Sequence, residues 1–438
     1  MRRKDRKNNF LNRALTNKYK KRKTHSTNKR YPLSWSSKGL IIISYFLLFA
    51  GLLFIYDASA FQTTHFFDSR FHFVVSQMQW IIIGSIVMFI VSFIPYRTFL
   101  GKNTFYIIGL TVVLLLLVLI TTSSLLDSVS SLGGILEVGS HTRVGGAGRW
   151  LFFTPFGMRI TVQPAEFAKI GVVLYMVNWL VSLKPVSLEG KEALKYHIKN
   201  ELIIFLIILG FYCGLIILQP DMGTTMVLVA TCFIVYFVSG SNYVHTLGTI
   251  ILSLVLLIMV VLMGTLASYR MDRIVVFKEV VTDGTVSHEM LDDGTGYEMQ
   301  QILIGIGSGG WFGRGIGKSR QEHGFLVENT AFTDSIIAVI LEEVGFLGGV
   351  VLLGIYLLFI RLGYNIVLNV KDKSGVLLVL GMVSIVAVQA FFHIGANVAV
   401  IPLTGIPLPF LSYGGSSVVV LMIAVGLILS VDRYADKK

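Results

Sequence analysis

Long apolar runs separated by short polar breaks dominate this chain. Leu40–Ile55, Trp80–Ile94, Phe105–Ile120, Phe167–Val181 and Leu202–Leu218 open the series. Met222–Val238, Leu247–Leu266, Ser335–Phe359, Val376–Phe392 and Ser417–Ser430 complete it. Apolar runs of about 17–25 residues match the hydrocarbon thickness of a bilayer when helical. The pattern predicts an all-α polytopic membrane protein with about ten transmembrane helices, some of the runs borrowing flanking residues to complete a span. Three polar segments interrupt it: residues 123–164, 267–333 and 399–416. The second is the longest and is punctuated by glycines (GYEMQQILIGIGSGGWFGRGIGKSRQEHGF). A loop of that length in so apolar a chain is functional or disordered. Its alternation of glycine with apolar residues predicts an ordered, packed loop.

Composition agrees: 54% of the 438 residues are hydrophobic and 14% charged, where soluble domains carry roughly 25% charged residues. The net charge of +12 is local. Residues 1–38 hold 14 Lys/Arg and one acid, Asp5, giving +13, so the remainder is close to neutral at −1. This predicts a basic, disordered cytoplasmic tail over 1–38, a membrane domain over 39–432 and a short cytoplasmic tail over 433–438. Lys102, Lys184, Lys191, Lys195, Lys199, Arg361, Lys371, Lys373, Arg433 and Lys437 fall in breaks on the tail's side. Basic residues are retained in cytoplasmic loops, which puts both termini inside and the 267–333 loop, between the seventh and eighth spans, outside. The tail suits anionic headgroups. No nucleic-acid-binding module surrounds it, so no nucleic-acid partner is expected.

Several short motifs fail on context. Gly305–Gly310 spells G-x-G-x-x-G without the strand and downstream acid of a dinucleotide fold. Gly317-Lys318-Ser319 ends like a phosphate loop, but Phe312 stands where glycine is required. His288-Glu289 is followed by Asp292 where a zinc helix needs histidine. Cys213 and Cys232 lie inside predicted spans and read as packing residues. No metal site and no cofactor are predicted. A divalent cation is compatible with the chemistry below, but no residue pattern supports one.

Glu166 and Lys169, three apart at the mouth of a span, share a helix face and can neutralise each other. Asp221 follows Pro220 at a helix start, where a carboxylate suits the dipole. Glu342 and Glu343 are adjacent in a span, and two adjacent side chains diverge around a helix, so one of them is expected to face the interior. Arg143, Arg149, Arg159, Arg270, Arg273, Arg314, Lys318 and Arg320 fall in the outer segments, with Asp272, Asp283, Asp292 and Asp293. Cations beside a membrane suit a diphosphate, and a carboxylate can take a proton from an attacking hydroxyl. Transfer of a sugar from a lipid diphosphate would use both.

The ordered set GLLFIYDAS (51–59), GRW (148–150), QPAEFAK (163–169), LQPDMGT (218–224), GYEMQQILIGIGSGGWFGRGIGKSRQEHGFL (296–326), TDSIIAVILEEVGFLG (333–348) and IPLTGIPLPFLSYGGSS (401–417) resembles the FtsW/RodA/SpoVE (SEDS) family of bacterial cell-wall proteins. The resemblance implies a peptidoglycan glycosyltransferase of the plasma membrane. Such an enzyme polymerises lipid II on the outer face, releases undecaprenyl diphosphate and works with a class B penicillin-binding transpeptidase and other divisome or elongasome membrane proteins. The family's proposed base is the aspartate of Asp-Pro-x-Gly-x-Gly-Tyr. Here the stretch is Asp292-Asp293-Gly294-Thr295-Gly296-Tyr297, without the proline and one residue short. A one-residue deletion makes Asp292 the base and Asp293 the runner-up, with Asp283 a remote third. Glu166 and Lys169 match the family's paired charges near the central cavity, and Asp334 is a positional match. Arg149, Arg273, Lys318 and Arg320 join them as candidate substrate-binding residues. The long basic tail leans toward the division type. A lipid-precursor flippase or transporter is the rival from another class, although no inverted repeat is visible. A non-catalytic scaffold that recruits a transpeptidase is the third reading.

Overall fold

The computed structural model describes residues 30–60, 62–63, 69–122, 148–153, 160–183, 202–240, 254, 268–284, 286, 296–320 and 331–437. The chain divides into a short N-terminal unit, Met1–Pro32, and a body, Leu33–Lys438, to which every helix and strand below belongs. In order these are α1 (Trp35–Ala58), α2 (His72–Phe93), α3 (Lys102–Thr122), the strands β1 (Leu151–Phe153) and β2 (Ile160–Val162), α4 (Pro164–Ser182), α5 (Ile203–Ile217) and α6 (Met222–Ser239). Then follow α7 (Ser268–Asp283), α8 (Tyr297–Gly309), α9 (Ile336–Asn369), α10 (Lys373–Asn397) and α11 (Gly415–Tyr434).

Eight of the described helices, α1–α4, α6 and α9–α11, are long and apolar enough to cross a membrane, and α5 is a shorter apolar helix. Nine of the ten predicted runs thus appear as helices. The tenth, Leu247–Leu266, lies outside the described residues except for Leu254. The predicted tail boundary needs correction. Ser34 caps α1 by accepting from the Ser37 amide at 3.3 Å, so the last four residues assigned to the tail are helical. The protein is a multi-pass membrane protein.

The last helix, α11, is the hub. Nearly all its residues are buried, and α1, α2, α4 and α10 pack around it. The outer surfaces of α1 and α2 instead present Ile42, Phe46, Phe49, Ile82, Ile86 and Phe89 to the exterior. In water such a rim would be an association surface; in lipid it is the natural outside.

One end of the bundle is clasped by polar contacts that tie both ends of the body together. Asp432 accepts from the Ser34 amide at 2.7 Å and the Ser37 hydroxyl at 2.8 Å, and pairs with Lys437 at 3.2 Å. The Tyr96 hydroxyl, in a 3-10 turn after α2, donates to Asp372 before α10, and Arg97 pairs with Asp436 at 3.5 Å. Of the basic residues that predicted a common side, Lys371 and Lys437 meet at this end: the Lys371 amide donates to the Asp436 carbonyl at 2.9 Å. At the opposite end lie the β1–β2 hairpin, α7, α8 and the turns around 331–335 and 399–414. The predicted polar loop 267–333 is thus partly helical. Its two helices escape a hydropathy reading because neither carries a spanning apolar run.

Candidate functional site

The site is built from the end of the bundle opposite the clasp. The residues before α9 are fixed by aromatic packing: Phe332 packs at a tilt against Phe73 with ring centres 4.6 Å apart and meets Tyr413 edge-on at 5.6 Å. The Tyr413 amide donates to the Phe332 carbonyl at 2.9 Å, and the Ser412 hydroxyl to the Thr333 carbonyl at 2.6 Å. Asp334, next in the chain, lines a narrow cleft of about 30 Å³. Arg273 from α7, Glu298 from α8, His393 and Asn397 from α10, and Thr404 of the 399–414 turn line the same cleft.

Arg273 donates to the Leu403 carbonyl at 3.0 Å and lies 4.0 Å from the Glu298 carboxylate. The Ser335 hydroxyl reaches Glu298 at 3.4 Å. The Asn397 amide donates to the Asp334 carbonyl at 3.1 Å and to the His393 carbonyl at 2.9 Å. Burial and the neighbouring Glu298 raise the Asp334 carboxyl to about 6, against the opposing pull of Arg273 and Arg149. Burial disfavours the charged form, and a nearby like charge adds to the effect.

Arg149 and Gln163 stand at the two ends of the hairpin whose register pairs Leu151 with Val162. Arg149 donates to the Pro220 carbonyl, and Gln163 to Asp221 at 2.9 Å. Asp221 in turn caps α6 through the Thr224 amide at 3.0 Å and hydroxyl at 2.9 Å. Its capping role, read from sequence, is observed.

Below this layer sits the buried pair Glu166–Lys169, 2.7 Å apart on α4, with side chains 3% and 2% exposed. Lys169 also donates to the Gln389 side-chain oxygen at 2.9 Å. Gln389, His393 and Asn397 repeat every four residues on α10, so one face of that helix carries a polar line from the ion pair to the cleft. Glu298, Gln389, His393 and Asn397 were missed from sequence. The signal for the last three was present as a four-residue polar repeat inside an apolar run.

A second polar cluster lies under the 310–320 segment. Glu342 accepts from Ser308 at 3.1 Å, Arg314 at 3.0 Å and Ser319 at 2.9 Å. The Arg314 and Gly315 amides donate to the Glu342 and Glu343 carbonyls, both at 3.0 Å. Those carbonyls are free because α9 kinks at Gly345 (φ 69°), where Gly313 (φ 79°) crosses it; a Cβ on either glycine would overlap the other segment's backbone. This corrects the expectation that only one of the two acids faces inward. Both are buried, because the segment folded into the kink covers the second one as well. The Glu343 carboxylate lies near Asp57 of α1 and the backbone of Gly317 and Ser319.

Of the predicted site residues, Arg273, Asp334 and Arg149 come together at the cleft's end of the bundle, above Glu166 and Lys169. Lys318 is exposed and Arg320 half-buried in the 310–320 segment; neither lines the cleft. Asp292 and Asp293 lie outside the described residues, between α7 and α8. Cys213 and Cys232 are free and buried. Among the described residues, no group of three or more His, Cys, Asp or Glu is arranged to hold a metal ion.

Fold and site define a class: a polytopic helical membrane protein with a charged cleft at one end and an ion pair buried beneath it. The FTSW_RODA_SPOVE family model, described as "Cell cycle protein", matches residues 38–437, and the chain belongs to this family. It is 33% identical over 396 residues to stage V sporulation protein E of Bacillus subtilis (strain 168), covering 90% of this chain and 96% of that protein. It is 30% identical over 405 residues to the probable peptidoglycan glycosyltransferase FtsW of Legionella pneumophila subsp. pneumophila, covering 92% of each. One chain of a solved peptidoglycan synthase complex superposes with a TM-score of 0.65 at 24% identity, covering 91% of this chain and 97% of that one. The rod shape determining protein RodA of Thermus thermophilus gives a TM-score of 0.56 at 24% identity, over 92% and 98%. The family expected from the ordered motifs is the chain's own.

Proposed function

We propose that this protein polymerises glycan strands from lipid II at the extracytoplasmic face of the bacterial plasma membrane, in company with a penicillin-binding transpeptidase. The observation that carries this reading is the meeting of Arg273, Arg149, Glu298 and Asp334 at the end of the bundle opposite the Asp432 clasp. That end also receives the chain on either side of residues 287–295, which contain Asp292 and Asp293. Membership of a family with members named as peptidoglycan glycosyltransferases supports it.

In the proposed step the acceptor sugar's 4-hydroxyl oxygen attacks C1 of the donor sugar. The bond from C1 to the diphosphate oxygen breaks as the new glycosidic bond forms. The hydroxyl proton passes to the Asp292 carboxylate, and undecaprenyl diphosphate leaves with the bonding electrons. A carboxylate at hydrogen-bond reach of the attacking hydroxyl contributes typically 10²–10⁴-fold. Fixed cations facing the departing diphosphate stabilise charge that develops only in the transition state. Arg149, which donates to the Pro220 carbonyl and lies near enough to Asp334 to favour its charged form, is the candidate cation for the diphosphate.

The test is purified full-length protein, with and without its transpeptidase, given labelled lipid II. Long glycan products support the reading. Movement of lipid II across liposomes without polymer would make the protein a flippase, and neither product would make it a scaffold. Asp292→Asn abolishes polymer while leaving insertion intact; loss confined to Asp293→Asn moves the base by one residue.

A further inference from the structure

The seam between α1 and α9 brings together two cations that the proposed polymerisation does not use. Gly39 of α1 lies so close to α9 that a Cβ added to it would stand 2.8 Å from the Leu362 Cδ1 atom. Lys38 and Arg361, the chain neighbours of these two residues, therefore stand at one level on adjacent helices. Both side chains are exposed, and among the described residues neither makes an ion pair or a side-chain hydrogen bond. Asp432, the carboxylate that the start of α1 meets, is buried and already bound by Ser34, Ser37 and Lys437. On a surface in water two such cations would need no explanation. On the lipid-facing rim of a bundle they do, because charge is costly in hydrocarbon.

The residues on either side of the two cations set their height in the membrane. Trp35 and Tyr364 stand one turn nearer the clasp than Lys38 and Arg361, and both are exposed. Tryptophan and tyrosine collect where hydrocarbon gives way to headgroups. The Lys38 ammonium lies 5.1 Å over the Trp35 ring, which draws it toward that layer. In the opposite direction only exposed apolar residues follow on the same faces: Ile42, Phe46 and Leu53 on α1, and Leu358, Val351 and Phe346 on α9. From Lys38 to Leu53, and from Arg361 back to Phe346, each tract is about 22 Å of helix. The seam thus carries positive charge at its base and an apolar tract above it.

We infer that Lys38 and Arg361 bind the phosphate of an anionic phospholipid in the leaflet on the clasp side, with its acyl chains lying along the α1–α9 seam. A guanidinium presents a planar fork that matches phosphate oxygens, and an ammonium adds a compact point charge. Two cations favour a headgroup of net negative charge over a zwitterionic one, whose own ammonium they repel. Lys38 belongs to the basic stretch 1–38, but α1 fixes it beside Arg361, so the site selects one lipid position where the rest of that stretch attracts headgroups diffusely. The site stands independently of the polymerase reading.

The experiment titrates delipidated full-length protein in a neutral detergent with phosphatidylglycerol and, separately, with phosphatidylcholine, and counts bound lipid by native mass spectrometry. Lys38→Gln and Arg361→Gln each weaken phosphatidylglycerol binding about fivefold, and the double variant about 25-fold, the effect of one basic residue near a headgroup taken once and twice. Phosphatidylcholine binding changes in none of them, and Arg361→Lys, which keeps the charge, retains most of the phosphatidylglycerol binding. Lys20→Gln/Lys21→Gln removes the same charge from the N-terminal stretch and leaves the preference intact. The substituted side chains are exposed, so melting temperatures match the parent's. Phosphatidylglycerol binding unchanged in the double variant overturns the site. So does an equal loss in Lys20→Gln/Lys21→Gln, which would assign the preference to diffuse charge, or a parallel loss of phosphatidylcholine. A double variant that keeps its lipid but no longer copurifies with a transpeptidase also overturns it, and gives this face to a protein partner.

Discussion

The buried pair Glu166–Lys169 gives a prediction whose sign depends on its environment. At 2.7 Å, two unit charges attract by about 6 kcal/mol at an effective dielectric of about 20. Removing each ion from water costs several kcal/mol, so the intact pair contributes little net stability. Removing one partner strands the other charge, at about 3–5 kcal/mol. Lys169→Met falls at the upper end, because Gln389 Oε1 loses its donor as well and Glu166 already has one oxygen without a partner among the described residues. Glu166→Gln falls lower, since an amide oxygen can still accept from Lys169. The double variant Glu166→Gln/Lys169→Met buries no net charge and lies within about 2 kcal/mol of the parent, far from the sum of its singles. Equilibrium unfolding in bicelles, followed on all four proteins of the cycle, measures the coupling. Additive losses, or single variants each costing less than about 1 kcal/mol, would refute the reasoning by showing that the pair is hydrated. The stable double variant then separates packing from function. If it still polymerises glycan, the pair only locks α4 to α10.

Three further outcomes are expected. Asp334 takes up its proton near pH 6 when folded, against about 4 when unfolded, so the folded state binds more protons in between and stability falls as pH rises through that window. In Asp334→Asn this part of the pH dependence of unfolding disappears; an unchanged profile would contradict the assignment. Gly313→Ala meets both a positive φ and the Glu343 carbonyl, costing about 3 kcal/mol or more, whereas Gly310→Ala (φ 53°, open space) costs about 1; equal melting shifts would argue against the crossing. Polymerisation assays on Asp292→Asn and Asp293→Asn should show activity lost only in the first.

Hydropathy alone located nine described helices, because a lipid-facing rim and a buried hub both demand apolar residues. It could not show α7 and α8, whose polar sequences are held by tertiary contacts. Nor could it show that Glu342 and Glu343 are both buried: that depends on Gly345 opening α9 to a segment some thirty residues upstream in sequence. The Glu166–Lys169 contact was legible from spacing, since three residues on a helix set the distance. Its link to Gln389 was not, because nothing in α4 specifies the register of α10. Arg273 was singled out for its charge, but its bonds to Leu403 and Glu298 emerge only when three distant segments converge.

The position of α11 at the centre of the bundle has a consequence for how the protein is made. Chains emerge N-terminus first, so α11 leaves the ribosome after α1, α2, α4 and α10, the helices that pack around it. Until then the earlier helices share a bilayer with an unfilled seam between them. A message truncated before Gly415 therefore yields no partly working enzyme, only an assembly lacking its keystone. Such a product is a natural substrate for membrane quality control, and the twenty residues of α11 act as a checkpoint on assembly of the bundle.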